Sequence, residues 1–546
     1  MSTYSYAHGA SAVPLLGETI GENLFNTCQQ FAEREALISV HQGYRATYAQ
    51  LWQQVEEVAK ALLASGVQQG ERVALWAPNC YEWVLVQYAT ARIGAILVNI
   101  NPAYRTSELA YVLQQSGASV LVSAVAFKGS NYRAMIDEAR PACAQLRETI
   151  YLAEDWPQFL TKAQHISDAA LHKATERIQF DEPVNIQYTS GTTGFPKGVT
   201  LSHHNLLNNG YFIGKRLHYS ERDKVCIPVP FYHCFGMVIG NLCCTAHGAC
   251  IVIPAESFDP LATLQAVQAE RCTSLYGVPT MFIAELQLPE FARFDLSSLR
   301  TGVMAGSPCP VEVMKKVQAD MHMHEVEICY GMTETSPVSL QTTIGTPLEK
   351  QVGTVGTVQD HLEVKIVEPE TGALLPRGTP GELCTRGYSV MLGYWNNPQA
   401  TAEAIDQGGW MHTGDLAVMD AEGFVNIVGR LKDMILRGGE NVYPREVEEF
   451  LYTHEAVEDV QVIGVPSEKF GEEVMAWVKV KSGHAVTPAD LEQFCRRSIA
   501  HYKIPKYWKF VTAFPMTVTG KIRKVEMREL AVEELGLQEV AKIKTS

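Results

Sequence analysis

Hydroxyls at Thr189, Ser190, Thr192 and Thr193 alternate with Gly191, Gly194 and Gly198 in the run from Tyr188 to Thr200, and Lys197 adds a cation. Side-chain donors and bare backbone amides at this density can crowd around phosphate oxygens. The chemistry implied is the gripping of a nucleotide triphosphate. The run is not of the Walker type, because Pro196 stands where that pattern needs its second glycine. Three other places could contribute. Lys521 sits in a turn, Pro-Met-Thr-Val-Thr-Gly-Lys, that would project one ammonium on a long stem. Asp415, in Thr-Gly-Asp, is acceptor-only when ionised and can take two hydroxyl donors. Arg430 is a second polar candidate, although Asp415 and Arg430 taken singly each read as half of a surface ion pair. Glu334 following Thr333, taken singly, reads as a helix-start residue.

More strings occur in order: Tyr330-Gly-Met-Thr-Glu334, Thr413-Gly-Asp415, Gly429-Arg-Leu-Lys-Asp433, Gly438-Gly-Glu-Asn-Val-Tyr-Pro444 and Thr519-Gly-Lys521. Together with the hydroxyl-rich loop they resemble the signature of the adenylate-forming superfamily, which includes acyl-CoA synthetases, luciferase-like enzymes and peptide-synthetase adenylation domains. The resemblance spans about Thr47 to Lys524, and its wording is nearest to medium- to long-chain fatty acyl-CoA synthetases. It implies an α/β fold: a large N-terminal domain of parallel-sheet layers with a small β-barrel-like part, followed by a small, mobile α+β C-terminal domain. It also implies a division into residues 1–430, a hinge at 431–434 and residues 435–546, with Lys432 at the hinge.

The resemblance assigns roles residue by residue. Thr189, Ser190, Gly191, Thr192, Thr193, Gly194 and Lys197 would hold the phosphates of ATP. Lys521 would stabilise charge at the α-phosphate, with Thr333 touching the same group and Glu334 as the Mg²⁺ ligand, an oxygen-seeking ion suited to a carboxylate. Gly306-Ser307-Pro308 would flank the adenine, and Tyr330, with Gly331 and Met332, would stack on it. Asp415 would accept both ribose hydroxyls and Arg430 would add a second ribose contact. His233, in Pro230-Phe-Tyr-His-Cys-Phe-Gly236, resembles an aromatic gate between nucleotide and acyl pocket. Gly438 and Gly439 would line the path of the pantetheine thiol of CoA.

The implied reaction has two steps. A carboxylate attacks the α-phosphorus of ATP and pyrophosphate leaves; a thiol then displaces AMP. The first step needs no general base, because a carboxylate is already ionised at neutral pH. The protein must position two anions and absorb developing charge. Phe231 to Gly236 contains no acidic residue, which disfavours an amino-acid substrate. Apolar residues around Tyr276 to Phe282 and from Val225 to Ala255 suit a fatty acid; an aromatic carboxylate remains an alternative, as does a fatty acyl-AMP ligase that loads a carrier protein.

The elements that must position these residues follow from pattern. From Thr47, apolar positions Tyr48, Leu51, Val55, Val58 and Leu62 predict a helix that stops at Gly66. Strand-like Arg72 to Ala77, helix-like Tyr81 to Ile93, strand-like Ile96 to Ile100, helix-like Ser107 to Gln115 and strand-like Ser119 to Ser123 predict a parallel sheet covered on both faces. Near the C-terminus, Val460 to Val465 and Val474 to Val480 predict strands, and Thr487 to Ile499 a capped helix. Val225 to Ala255 carries no Asp, Glu, Lys or Arg, yet Pro228, Pro230, His233, Asn241 and His247 mark it as buried protein rather than a membrane span.

With 546 residues and 46% hydrophobic content, the chain can build a large core, and a net charge of -15 argues against a nucleic-acid surface. The 13 cysteines are scattered without Cys-x-x-Cys spacing, which predicts reduced thiols and a cytoplasmic setting. Met1 to Gly17 resembles neither a secretory signal nor a transit peptide. The expected partners are a small-molecule carboxylate, ATP and CoA, with no nucleic acid and no integral membrane segment; a homodimer is compatible with the chain.

Overall fold

The computed structural model describes residues 3–189, 196–307, 309–438, 440–496, 498–516 and 522–541. The chain divides into two compact bodies, one of Ala7–Val364 with Cys384–His412, the other of Met1–Tyr6, Lys365–Leu383 and Thr413–Ser546.

In the first body, the predicted strand-helix alternation is present nearly residue for residue. The helix Tyr48–Ala64 begins with a reciprocal capping box between Thr47 and Gln50, and its predicted apolar stripe is buried. Strands Arg72–Trp76, Ile96–Asn99 and Val120–Ser123 alternate with helices Tyr81–Arg92 and Thr106–Ser116. They join a seven-stranded sheet in the order 393–394, 197–202, 183–189, 96–99, 72–76, 120–123, 148–151. The strands from 183–189 to 148–151 run parallel, while Lys197–Ser202 returns antiparallel to Pro183–Thr189. Helices on both faces explain why strands 72–76, 96–99 and 120–123 are mainly apolar rather than alternating.

A nine-stranded sheet runs in the order 357–358, 338–341, 325–331, 301–305, 274–277, 224–226, 250–253, 35–39, 44–47. Its centre is parallel and its two edges antiparallel. The charge-free segment is interior, as expected: Phe235–Leu242 is a fully buried π-helix, Cys243–Ala246 continues it, and Cys250–Ile253 is a buried strand of this sheet. Among the described residues no helix is long and apolar enough to cross a membrane. All 13 cysteines are free thiols.

The second body contains strand segments 365–367, 381–383 and 413–419, the last paired with Val425–Arg430 in an antiparallel hairpin. These supply the barrel-like antiparallel part. Farther along, Val457–Ser467 and Gly471–Val480 form a long hairpin, and the other edge of its second strand is shared by Ile435–Arg437, antiparallel at Gly471, and Tyr507–Phe510, parallel along Met475 to Val478. Helix Pro488–Arg496 is shorter than predicted; the Cys495 carbonyl accepts from the amides of both Ser498 and Ile499, which closes a turn there. The α/β class is thus as the pattern foretold.

One buried acid lies within the strand that leads to the candidate site. Glu327 is 1% exposed and accepts from the Gln341 side chain, which itself accepts from Gln359 Nε2 at 2.7 Å. Burial pushes its carboxyl up to about 8. A carboxyl raised in the fold contributes stability in full below the ordinary value of 4.5 and loses it as pH rises through about 8. Glu327→Gln should therefore remove a pH-dependent loss. We expect the thermal midpoint of the variant, relative to the parent, to rise between about pH 5 and about pH 9; a constant difference would show that Glu327 does not titrate in this range.

Candidate active site

In the first body, the phosphate-gripping run is anchored by the antiparallel pair Pro183–Thr189 and Lys197–Ser202, with Thr189 opposite Lys197. Both residues are half-buried. Ser190, Gly191, Thr192, Thr193 and Gly194 lie outside the described residues. The stem on the C-terminal side is fixed by Tyr111, whose hydroxyl donates to the Pro196 carbonyl at 3.0 Å.

The next strand outward, Gly393–Tyr394, pairs with this stem, Tyr394 opposite Val199. Its phenol crosses to another element: Tyr394 Oη donates to Glu334 Oε1 at 2.9 Å. The same ring faces Lys197, whose Nζ is 4.9 Å from the ring centroid. Burial, and then the Glu334 charge, push the phenol well above its ordinary value, so that it stays a donor at physiological pH. Lys197, Tyr394 and Glu334 form a continuous chain of cation, ring and carboxylate.

Glu334 is carried by the single turn Thr333–Thr335 at the end of the strand Glu325–Gly331, and both Thr333 and Glu334 are buried. The turn is tied down by the amide of Met391, which donates to the Glu334 carbonyl at 2.9 Å, and by Thr335 Oγ1, which donates to the Pro337 carbonyl at 2.7 Å. Gly331 is required where the strand meets this turn. A Cβ there would stand 1.7 Å from the Pro337 carbonyl oxygen, a backbone atom that cannot swing aside.

His233 approaches from the segment that opens the buried π-helix. Its Nδ1 accepts the Phe235 amide at 3.2 Å, which assigns the proton of the neutral ring to Nε2. The adjacent Cys234 Sγ is 4.0 Å from Thr333 Oγ1, so the His233 segment and the Thr333–Glu334 turn adjoin. The strand Thr301–Ala305 lies beside Glu325–Gly331 with Ala305 opposite Cys329. Gly306-Ser307 and Tyr330 consequently leave the same edge of the sheet. Gly306 has φ +92° and packs close to Val278, a contact that a Cβ would tighten to 3.1 Å. Tyr330 is half-buried, Ser307 is exposed, and Pro308 is outside the described residues. Tyr276 and Phe282, expected at the acyl pocket, are fully buried core residues here; Tyr276 accepts from Tyr219 at 2.9 Å. Between them Val278 and Met281 are partly buried and Thr280 is exposed.

In the second body, Asp415 and Arg430 face each other across the hairpin, with Arg430 Nε 3.3 Å from Asp415 Oδ1. The Thr413 hydroxyl caps the Asp415 amide at 3.1 Å. The Asp415 side chain is 15% exposed and that of Arg430 61%, so the carboxylate is the fixed member. Lys432 is exposed in the turn Leu431–Asp433, which Arg528 braces by an ion pair with Asp433 at 2.7 Å. Gly438 is exposed, its amide donating to Phe470 at 2.8 Å. Lys521 and Gly439 lie outside the described residues. Tyr394 is the residue that sequence reasoning missed. The only local sign is an aromatic pair after Gly393, and nothing in the spacing links it to Glu334.

Residues 24–395 match the family described as AMP-binding enzyme, and 446–521 the AMP-binding enzyme C-terminal domain. YngI of Bacillus subtilis (strain 168), whose name classes it with acyl-CoA synthetases, is 47% identical over 543 residues, covering 96% of this chain and 99% of that protein. The mitochondrial medium-chain acyl-CoA ligase ACSF2 of Danio rerio is 43% identical, covering 98% and 92%. Among solved structures, the anthranilate CoA ligase AuaEII in complex with anthranoyl-AMP superposes with a TM-score of 0.85 at 26% identity, covering 96% and 99%. The chain belongs to the AMP-binding enzyme family, the adenylate-forming enzymes. Within it the chain stands with the acyl-CoA synthetases, which are AMP-forming acid–thiol ligases.

The fit at Gly331 gives a direct test. Gly331→Ala should displace the Thr333–Glu334 turn, and we expect ATP binding measured by calorimetry to weaken by about tenfold or more with the far-UV spectrum unchanged. Unaltered binding would separate the turn from the nucleotide.

Proposed function

We propose that this protein is an ATP- and Mg²⁺-dependent fatty acid:CoA ligase that works through an acyl-adenylate. The observation that carries the reading is the assembly around Glu334: a buried carboxylate, a neighbouring threonine hydroxyl, a histidine segment against that threonine, and a chain of contacts leading back to the lysine of the phosphate-gripping stem.

The carboxylate substrate needs no base, so the work of these groups is electrostatic. Thr189, Ser190, Gly191, Thr192, Thr193, Gly194 and Lys197 hold the phosphates. Thr333 donates to the α-phosphate and Lys521 opposes the charge that builds as a substrate oxygen bonds to the α-phosphorus and the bond to pyrophosphate breaks. Glu334, a hard oxygen donor largely withdrawn from water, fits Mg²⁺ and would hold it, and the ion when bound would neutralise phosphate charge. Gly306, Ser307, Pro308, Tyr330, Gly331 and Met332 receive the adenine, and Asp415 with Arg430 the ribose. For Asp415 to take ribose hydroxyls, the Arg430 side chain, which is mostly exposed, must share the carboxylate or move aside.

In the second step the thiol of CoA bonds to the acyl carbon, AMP departs with the electron pair of the mixed anhydride, and the thiol proton is lost to solvent. Gly438 and Gly439 admit the pantetheine chain. The turn at residues 431–434, between a domain of residues 1–430 and one of 435–546, acts as the hinge that exchanges Lys521 for the glycine path. The exposed Lys432 side chain and the short turn that bears it suit such a pivot.

A fatty chain as substrate is supported by the charge-free segment Val225 to Ala255, against whose core Val278 and Met281 pack, and by the medium-chain name borne by ACSF2. An aromatic acid is the second reading, favoured by the close superposition on a ligase holding anthranoyl-AMP. A panel of straight-chain and aromatic acids, each with ATP, Mg²⁺ and CoA, decides between them by thioester formation. We expect the highest kcat/KM with medium to long chains; a benzoate or cinnamate at the top would overturn that choice, and pyrophosphate release without CoA thioester would reassign the protein as an acyl-AMP ligase. Lys521→Ala should abolish adenylate formation yet leave thioester formation from supplied acyl-AMP largely intact, whereas equal losses in both would remove the assigned role.

A further inference from the structure

Tyr394 is held more tightly than a surface aromatic needs to be. The amides on either side of it, from Leu392 and Trp395, donate to Thr200 at 3.0 Å and to Gly198 at 2.7 Å, and its own amide donates to Thr401 Oγ1 at 2.9 Å. With three anchors in the four residues Leu392 to Trp395, the phenol has a fixed direction. It uses its two ends for different partners: the hydroxyl for the Glu334 carboxylate at 2.9 Å, the ring face for the Lys197 ammonium at 4.9 Å.

These contacts reinforce each other. A phenol that donates to a carboxylate gains electron density in its ring, and a richer ring face attracts a cation more strongly. The Glu334 carboxylate is in turn oriented by the phenol hydroxyl that donates to it. We propose that Tyr394 is a positioning residue that ties the phosphate-side lysine to the metal-side carboxylate, so that nucleotide and divalent cation are captured together. This rests on the reading above of Lys197 and Glu334. Before phosphates arrive, Lys197 is parked on the ring beside the place where it is needed, and the carboxylate plane is already set, which lowers the ordering cost of binding.

The two ends can be removed separately. Tyr394→Phe keeps the ring and deletes the hydroxyl, while Tyr394→Met deletes both with an unbranched side chain that fills space adaptably. Mn²⁺ serves as a spin probe for the cation, titrated by electron spin resonance on the full chain in the presence of a non-hydrolysable ATP analogue. Affinity for the analogue without metal is read by calorimetry. For Tyr394→Phe we expect Mn²⁺ binding to weaken about tenfold, as for a lost hydrogen bond to a charged group, with analogue affinity within about twofold of the parent. For Tyr394→Met we expect the same loss for Mn²⁺ and a further loss of about three- to fivefold for the analogue. A merely structural role would shift both affinities and the thermal midpoint together in both variants, and that result overturns the proposal. So does parental Mn²⁺ binding by Tyr394→Phe. Should Tyr394→Met not fold, the Phe variant alone decides. If the parent protein itself binds neither the analogue nor Mn²⁺, the ligase reading fails and the role of Tyr394 falls with it.

Discussion

A carboxylate withdrawn from water must be held by donors or cations, and Glu334 imposes that demand on everything around it. It is 6% exposed, and an unsupported charge at such a depth would cost far more than one hydrogen bond returns. The protein meets the demand from outside the turn that bears the carboxylate: Tyr394 donates to the side chain and Met391 to the backbone. Both donors come from the segment that follows Tyr388, so this segment must be pinned against the antiparallel stem of the phosphate-gripping run. The same pinning turns the Tyr394 ring toward Lys197. One electrostatic requirement thereby links three pieces of chain distant in sequence.

Parallel sheets make that arrangement possible. Strands 301–305 and 325–331 run side by side in the same direction, so Gly306 and the Tyr330–Glu334 string leave the sheet at one edge. Ligands in open α/β sheets collect at the carboxyl ends of strands. The helices that make the sheet parallel also bury its faces, and the cost is a set of interior polar groups that need partners. The Gln359–Gln341–Glu327 chain partners some of these, and burial raises the Glu327 carboxyl, which favours its neutral form. The π-helix after His233 belongs to the same logic, since such a helix spreads the backbone and is often found beside functional sites.

The second body presents a different kind of chemistry. Its hairpin puts Asp415 and Arg430 in register, so that an acceptor-only group and a flexible cation are displayed together. The exposed turn around Lys432 follows directly, and Arg528 stiffens the far side of that turn through Asp433. This is the turn at which the hinge proposed above would lie.

Residue types and short spacings were enough to read the strand-helix alternation, the buried nature of 225–255 and the family, and they singled out the Thr333–Glu334 and Lys197 positions that the fold connects through Tyr394. Capping at Thr47, apolar stripes and β-branched runs are local signals, and they act over a few residues. The helix after Thr487 was overextended because its end is set by a turn at Cys495, which apolar spacing does not register. Tyr276 and Phe282 were legible as apolar but not as closed core, since depth depends on what packs over them. Tyr394 carried no signal beyond the aromatic pair after Gly393: its importance comes from meeting Glu334 and Lys197, and those meetings are fixed by strand register and backbone anchors contributed from elsewhere in the chain. The sequence determined which chemical groups were available and which elements would form; tertiary structure decided which groups touch, because contact between distant residues is settled by packing of whole elements.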